Sequence, residues 1–503
     1  MPDNAQVQPF SFPLKGGLVL NKSTYEMDPG AALELTNFEP DINGGYRRIS
    51  GFTKWNTNVV PYTFGANEKV LMVAALGTSI VAARGEKIFT AATSTSSWVE
   101  IDTGRSGALR YTFDRYNLAG VDKLIVADGG NRASVYNGTT VVDITHAAAP
   151  SNPKHAIIYK NHVFLSGHSA NKQELRFSAP YSDSDFSPSS GGGSIQVDSE
   201  IVGLKTFREE LYIFCKARIF KLTGSASADF TLQPVTRDIG CVNGSTIQEF
   251  AGDLIFLAVD GLRTIAGTAK IGDVELGTIS KAIQPRFSRS TNTDQYVSVV
   301  IPNKTQYRLF FCDTALAESN TTGVICSLKD TGFEFADLKG IKPSCTDTDI
   351  TGQTPIVYHG GYDGFIYRQE VGGTLNGATI KGVYRSPDIS MGDPGIRKSF
   401  EHIILNYAPE STISANLFLR YDYEATDVAR PDAYPFDSSQ VIALYGVATY
   451  GGGSTYGAQS QPLVRQAVEG SGYAIALRVH DNGQSEPYSL RGFQLEYRIA
   501  GRR

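Results

Sequence analysis

The sequence predicts an all-β chain: a β-propeller of six or seven blades followed by a small C-terminal β-sandwich. Three observations predict it. The first is a recurring hairpin. Leu204-Lys-Thr-Phe207-Arg-Glu-Glu-Leu211-Tyr-Ile-Phe-Cys-Lys-Ala-Arg-Ile219-Phe220 can be laid without a gap on Ile247-Gln-Glu-Phe250-Ala-Gly-Asp-Leu254-Ile-Phe-Leu-Ala-Val-Asp-Gly-Leu262, 43 residues later. Tyr159-Lys-Asn-His-Val163-Phe-Leu opens the same way, and Leu76-Gly-Thr-Ser-Ile80-Val-Ala-Ala-Arg-Gly-Glu-Lys-Ile88-Phe89 fits it too. Each copy reads as strand, tight turn, strand, and a hairpin period of roughly 40–50 residues marks propeller blades. The second is composition: 51 Gly, 25 Tyr and 26 Phe against 4 Met, with 19% charged residues, favour short strands joined by tight turns. The third is a change of pattern near residue 375, where the period stops and plain apolar–polar alternation takes over.

Residues 1–60 form a leader that does not match the repeat. Leu18-Val-Leu20, Ala32-Leu33-Glu-Leu35 and the Gly44-Gly45-Tyr46-Arg47-Arg48 turn suggest two or three strands. A terminal strand often completes the last blade of a propeller and removes an open edge. Residues 61–375 are the propeller. Its anchors are Ile80, Leu124, Val163, Leu211, Leu254, Leu309 and Phe365, spaced 44, 39, 48, 43, 55 and 56 residues apart. Turn residues stand where hairpins need them, as in Asp128-Gly-Gly-Asn131, Asn137-Gly138 and Asp260-Gly261. Tyr181 to Ser194, rich in Ser, Asp and Gly, reads as a surface loop between blades. Residues 376–503 are the sandwich. Ile403-Ile-Leu-Asn-Tyr, Ala415-Asn-Leu-Phe-Leu-Arg-Tyr-Asp-Tyr423, Tyr473-Ala-Ile-Ala-Leu-Arg-Val479 and Gly492-Phe-Gln-Leu-Glu-Tyr-Arg498 alternate as antiparallel strands with one buried face.

The net charge of −5 gives no general attraction to nucleic acid or anionic membrane. The five cysteines, 215, 241, 312, 326 and 345, show no CxxC spacing and read as buried thiols. Met-Pro-Asp-Asn-Ala-Gln lacks the basic and apolar regions of an export signal, and no run approaches a membrane span. The expectation is a soluble protein made in a cytoplasm.

The sequence predicts no enzyme, no cofactor and no metal. There is no G-x-S-x-G elbow, H-E-x-x-H motif or G-x-x-x-x-G-K-[ST] loop. His155, His162 and His168 flank one hairpin, but strand alternation splits them over two faces, so they read as solvent-facing turn residues. Asp183-Ser-Asp185 and Asp347-Thr-Asp349 lack the ligand series of a calcium loop. Ser438 to Val464 runs 27 residues without a charge. Its Tyr445, Tyr450 and Tyr456, flanked by Gly and Ser, suit a contact surface, against the plainer reading of a long hairpin with a flexible loop. Arg502 and Arg503 suit phosphate or an acidic partner, or a solvated tail.

Three segments together resemble one family. They are the leader (Leu14-Lys-Gly-Gly-Leu-Val-Leu-Asn21, Asp28-Pro-Gly-Ala-Ala32, Leu35-Thr-Asn37 and Gly44-Gly-Tyr-Arg-Arg48-Ile-Ser-Gly-Phe52), the stretch Leu175-Arg-Phe-Ser178-Ala-Pro180 with Ile201 to Gly224, and the end (Gly470-Ser-Gly472, Ser489 to Arg498, Gly501-Arg502-Arg503). In this order they resemble the β-propeller tail proteins of short-tailed bacteriophages, called nozzle, tail tubular or packaged-DNA stabilisation proteins. The resemblance implies a structural virion protein of the tail. It would form a hexameric ring below the head–tail adaptor, extend the DNA ejection conduit, retain packaged DNA and dock tail fibres. Double-stranded DNA would pass through the lumen without sequence-specific contacts, and mildly acidic walls would not trap it. The alternative is a carbohydrate-binding or glycan-cleaving propeller acting in host receptor recognition, which needs a central pocket with two carboxylates and stacked aromatics.

Overall fold

The computed structural model describes residues 6–502 except 63–67, 119, 267–277, 288–291, 314, 331, 410–412, 425–430, 439–462 and 484. Its larger part is a β-propeller of radially arranged sheets. Blade 1 comprises Val70–Leu76, Ser79–Arg84, Lys87–Ala91 and Val99–Asp102. Blade 2 runs from Thr112–Tyr116 to Val141–Asp143, blade 3 from His155–Tyr159 to Gly193–Gln196, and blade 4 from Ile201–Phe207 to Thr231–Thr236. Blade 5 shows three strands, Gln248–Phe250, Asp253–Ala258 and Gly261–Thr264; blade 6 has four, from Val297–Ile301 to Gly332–Lys339. The last blade has Cys345–Asp349, Ile356–Gly360 and Ile366–Gln369, and its fourth strand comes from the leader: β5, Phe52–Lys54. Six blades are thus four-stranded and one is three-stranded among the described residues.

The repeat works because each blade buries both faces. Successive side chains of a strand point to opposite faces. Ile80 and Ala82 enter the cluster shared with the last blade (Cys345, Tyr358, Ile366), while Val81 and Ala83 enter the one shared with blade 2 (Leu124, Val126, Tyr136). Likewise Leu211 and Ile213 pack toward blade 3, and Tyr212 and Phe214 toward blade 5. Such strands are continuous apolar runs. The cluster joining Val73 and Ala75 to Cys345 and Tyr358 closes the ring.

Five of the anchors, Ile80, Leu124, Val163, Leu211 and Leu254, are the second residues of second strands. Leu309 lies on the same strand type two residues further in, and Phe365 is misplaced: it precedes the third strand of the last blade, where the equivalent position is Val357. That slip makes the final interval look long. The Tyr181–Ser194 loop lies within blade 3, between its third and fourth strands, and not between blades. Phe186 anchors it in the core between blades 2 and 3.

The short hairpin of Thr374–Leu375 and Ala378–Thr379 extends the last blade's sheet beyond β5. The other strands build two sheets over one core, and the leader belongs largely to them. β1 (Gln8–Pro13) and β4 (Tyr46–Arg48) both pair with the terminal strand Tyr488–Arg502, and β3 (Phe38–Pro40) pairs with β4. The terminal strand pairs along its length with Ile396–Pro409, which is edged by Leu463–Ala467. β2 (Glu34–Thr36) bridges the outer strand of blade 6 to Val383–Arg385, and that sheet runs on through Ile475–Asp481 and Ile413–Tyr421 to Tyr434–Ser438. The sheets meet through aromatic pairs: Phe400 stacks on Tyr421 at 5.5 Å, Tyr384 on Phe493 at 6.0 Å, and Tyr407 meets Phe436 edge-on at 5.7 Å. Closing the propeller is therefore the role of β5 alone, and β1–β4 are woven into the C-terminal sheets.

Buried charges fasten these layers. Arg48, wholly buried, pairs with Asp481 at 3.2 Å and donates to the carbonyl of Ile380 at 2.8 Å. Glu39 accepts from Lys304 at 2.6 Å, Arg308 at 2.8 Å and Arg47 at 3.2 Å. Burial alone would raise the Glu39 pKa, but the three cations hold it down at about 2.

Candidate functional site

The axis of the propeller is lined by the first strand of each blade, whose free edge leaves backbone groups to be satisfied. Polar side chains of neighbouring blades do this. Thr112 Oγ1 donates to the Lys154 carbonyl at 2.8 Å and accepts from the Ala156 amide at 3.2 Å. Asp114 accepts from the Ile158 amide at 2.9 Å. Asp347 accepts from the Ala75 amide at 2.9 Å and pairs with Arg115. Thr346 and Thr348 donate to the carbonyls of Ser298 and Val300. Burial pushes both Asp114 and Asp347 up, while backbone amides and Arg115 oppose it. Both carboxylates join neighbouring inner strands.

At one end of this axis the residues preceding the inner strands converge: Lys69, Arg110, Lys154, Glu200, Tyr296 and Ser344. Arg110 crosses it from blade 2. Its Nε donates to the Ser344 carbonyl at 2.9 Å, Nη1 to the Tyr296 carbonyl at 3.0 Å and Ser245 Oγ at 3.2 Å, and Nη2 to the Gln295 carbonyl at 3.0 Å. One guanidinium thereby ties blade 2 to the starts of blades 5, 6 and the last. Arg110 belongs to no sequence motif; its signal in the sequence is its place just ahead of an inner strand.

Tyr445, Tyr450, Tyr456 and Arg503 lie outside the described residues. Arg502 closes the terminal strand, in register with Ile396. The strands flanking residues 439–462 are informative. Tyr434–Ser438 and Leu463–Ala467 are edge strands of the two C-terminal sheets, and Tyr434–Ser438 stands at the end of its sheet opposite blade 6. A small apolar cavity lined by Leu405, Leu417, Phe436, Val464 and Phe493 lies between these edges.

The histidines correct one expectation. His155, His162 and His168 are buried, not solvent-facing, as is His359. His168 meets Glu174 at 3.0 Å, and His359 stacks on Tyr367 at 5.0 Å. Burial lowers the pKa of His155 and His359 to about 3, so both are neutral core residues. Asp183 is occupied by Tyr116 and Lys123, and Asp185 by Ser187. Among the described residues no group of three or more His, Cys, Asp and Glu is placed to hold a metal ion. All five cysteines are buried and unpaired, and burial raises the thiols, Cys241 to about 12 and Cys345 to about 11. No helix of the described residues is long and apolar enough to cross a membrane.

No protein-family model matches the chain, and no curated protein matches it. Among solved structures it is similar to an exo-β-1,3-galactanase from Phanerochaete chrysosporium, at 9% identity and a TM-score of 0.25 over 90% of this chain and 100% of that one. It is also similar to the extracellular domain of the putative one-component system BT4673 from B. thetaiotaomicron (10%, TM-score 0.40, 70% of this chain and 43% of that one) and to the N-terminal domain of Nup159 (10%, TM-score 0.35, 71% and 98%). Likenesses this distant carry no function across.

Proposed function

We propose that this chain is a structural, non-catalytic tail protein of a short-tailed bacteriophage. It assembles as a ring below the head–tail adaptor, hexameric as in the family it resembles. There it extends the ejection conduit, retains packaged DNA and offers a platform to fibres. The observation that carries the reading is the ordered resemblance of leader, central segment and end. It gains support from the pairing of the first and last of these: β1 and β4 both hydrogen-bond to the terminal strand, so segments more than 400 residues apart form one unit. Subunit contacts would use the uncharged 438–464 segment, which joins two edge strands away from blade 6.

The test is light scattering with negative-stain imaging of the purified chain, alone and with its adaptor ring. A ring of about six copies with a central hole is expected, since closed symmetry is the rule for such assemblies. Replacing Tyr445, Tyr450 and Tyr456 together with Ser is expected to abolish the ring while leaving the unfolding midpoint unchanged. A monomer that ignores the adaptor but binds or cleaves a host glycan would replace this reading with the carbohydrate alternative.

A further inference from the structure

We propose that the axial mouth of the propeller, where the inner strands begin, is a binding site for a single doubly charged oxyanion of the phosphate class, held by Lys69, Arg110 and Lys154. This inference does not depend on the tail reading.

Lys69 directly precedes the inner strand of blade 1, Arg110 stands two residues ahead of that of blade 2, and Lys154 directly precedes that of blade 3. Equivalent positions of consecutive blades surround the axis at one end, so three cations share one mouth. Arg110 reaches across it, and all four of its acceptors are neutral: three carbonyls and one hydroxyl. Its hydrogen bonds fix the guanidinium without neutralising it. Lys69 lies 5.5 Å from the centre of the Tyr362 ring, and neither it nor Lys154 has a carboxylate within ion-pair distance among the described residues. The nearest acids are accounted for. Glu200 is taken by Lys216 at 2.7 Å and Lys172 at 3.6 Å, and Asp294 is exposed and touches both lysines only through its field.

These charges cost one another energy. Loss of hydration first, and then the charge of Arg110, lower the pKa of Lys69; the same two causes oppose protonation of Lys154, against Glu200. In a chain of net charge −5, a mouth where Lys69 and Arg110 are half-buried and Lys154 is exposed, none of them in an ion pair among the described residues, has room for one more negative charge beside the fields of Glu200 and Asp294. A small tetrahedral dianion would supply the missing charge and offer several acceptors to the two ammonium groups.

Titration calorimetry of the full chain with inorganic phosphate, in chloride buffer of constant ionic strength, tests this. Saturable binding of one phosphate per chain is expected, weakened at least tenfold in Lys69→Gln/Lys154→Gln. At ten times its Kd, phosphate should raise the Tm by about 1 °C over chloride. In phosphate-free buffer the double variant should melt no lower than the parent, because it removes repulsion; a purely structural role for the lysines would lower its Tm and overturn the proposal. A 5′-mononucleotide arm identifies the source: competition by it points to a terminal phosphate ester, and its failure beside successful phosphate binding points to the free ion. No saturable binding, an unchanged Kd in the double variant, or a hexaglutamate peptide that outcompetes phosphate would each overturn it, the last in favour of an acidic protein segment.

Discussion

The propeller and the two-sheet module answer the same problem, burying strands, in opposite ways. In the propeller nearly every pairing joins strands adjacent in sequence; among the described residues the long-range partners are β5 on the last blade and β2 on the outer strand of blade 6. In the module Gln8 pairs with Tyr497, Arg47 with Ser489 and Glu34 with Arg385. Local hairpins close short loops and need no help from the far end of the chain. The module needs both ends present at once, and it invests buried ion pairs in holding them. Buried pairs contribute little net stability against apolar replacements, but losing one partner is severe. The module should therefore be the more brittle region.

The largest effect is expected from Arg48→Met. It strands the Asp481 carboxylate in a wholly buried site, at about 3–5 kcal/mol. Denaturant unfolding would show it, and adding Asp481→Leu should restore most of the loss. If the double variant is as unstable as the single one, the pair is not what fastens the leader. Phe52→Ala comes next, at about 3 kcal/mol. Phe52 is buried, with ring centres 4.9 Å from His359 and 5.0 Å from Tyr367, so its loss loosens the closing strand. Limited proteolysis should cut within 345–370 first, leaving blades 1–4 protected.

Acid separates the regions further. His155 and His359, both in the propeller, have folded pKa values near 3, below the unfolded value. Their contribution is complete above about 6.5 and is lost as the pH falls, at about 2 kcal/mol each by pH 5. His480 in the module shifts the same way but is only half-buried. Glu39, held at about 2, begins to lose its contribution only below about 4.5. Denaturant midpoints should fall between pH 6.5 and 5, and His359→Gln should flatten that slope by close to half. A pH-independent midpoint in this range would contradict the buried, neutral assignment.

The same contrast explains what could be read in advance. Ile80, Leu124, Val163, Leu211 and Leu254 announce their blades because a repeated burial environment selects a repeated pattern. Phe365 misleads because the aromatic just ahead of a third strand imitates an anchor. The strands of the leader were visible in Leu35 and Tyr46-Arg47-Arg48, but not their partners, since nothing local in β1 specifies pairing with residue 497. Arg48 and Asp481 look like surface charges until the distant strands are joined. At the axis, Arg110 has no motif; only the order of blades shows that residues 69, 110 and 154 stand around one point.

The smallest expected effect tests whether even the regular region carries local strain. The hairpin between the first two strands of blade 4 turns on Arg208 and Glu209, with φ of 48° and 63°. Glycine normally fills such left-handed positions, and another residue costs on the order of 1 kcal/mol there. Lys160 pairs with Glu209 at 2.9 Å, but Glu209 is 85% exposed, so screening leaves that contact little weight. Glu209→Gly should therefore gain more from the backbone than it loses with the ion pair, even after the added freedom of the unfolded chain, for a net stabilisation of about 0.5 kcal/mol. In a chain of this size the Tm moves by under about 1 °C, so chemical denaturation is the sharper measurement. A destabilised Glu209→Gly variant would mean that the Lys160 contact, which links the hairpin tips of blades 3 and 4, outweighs the strain, and that neighbouring blades are coupled at their tips as well as through their faces.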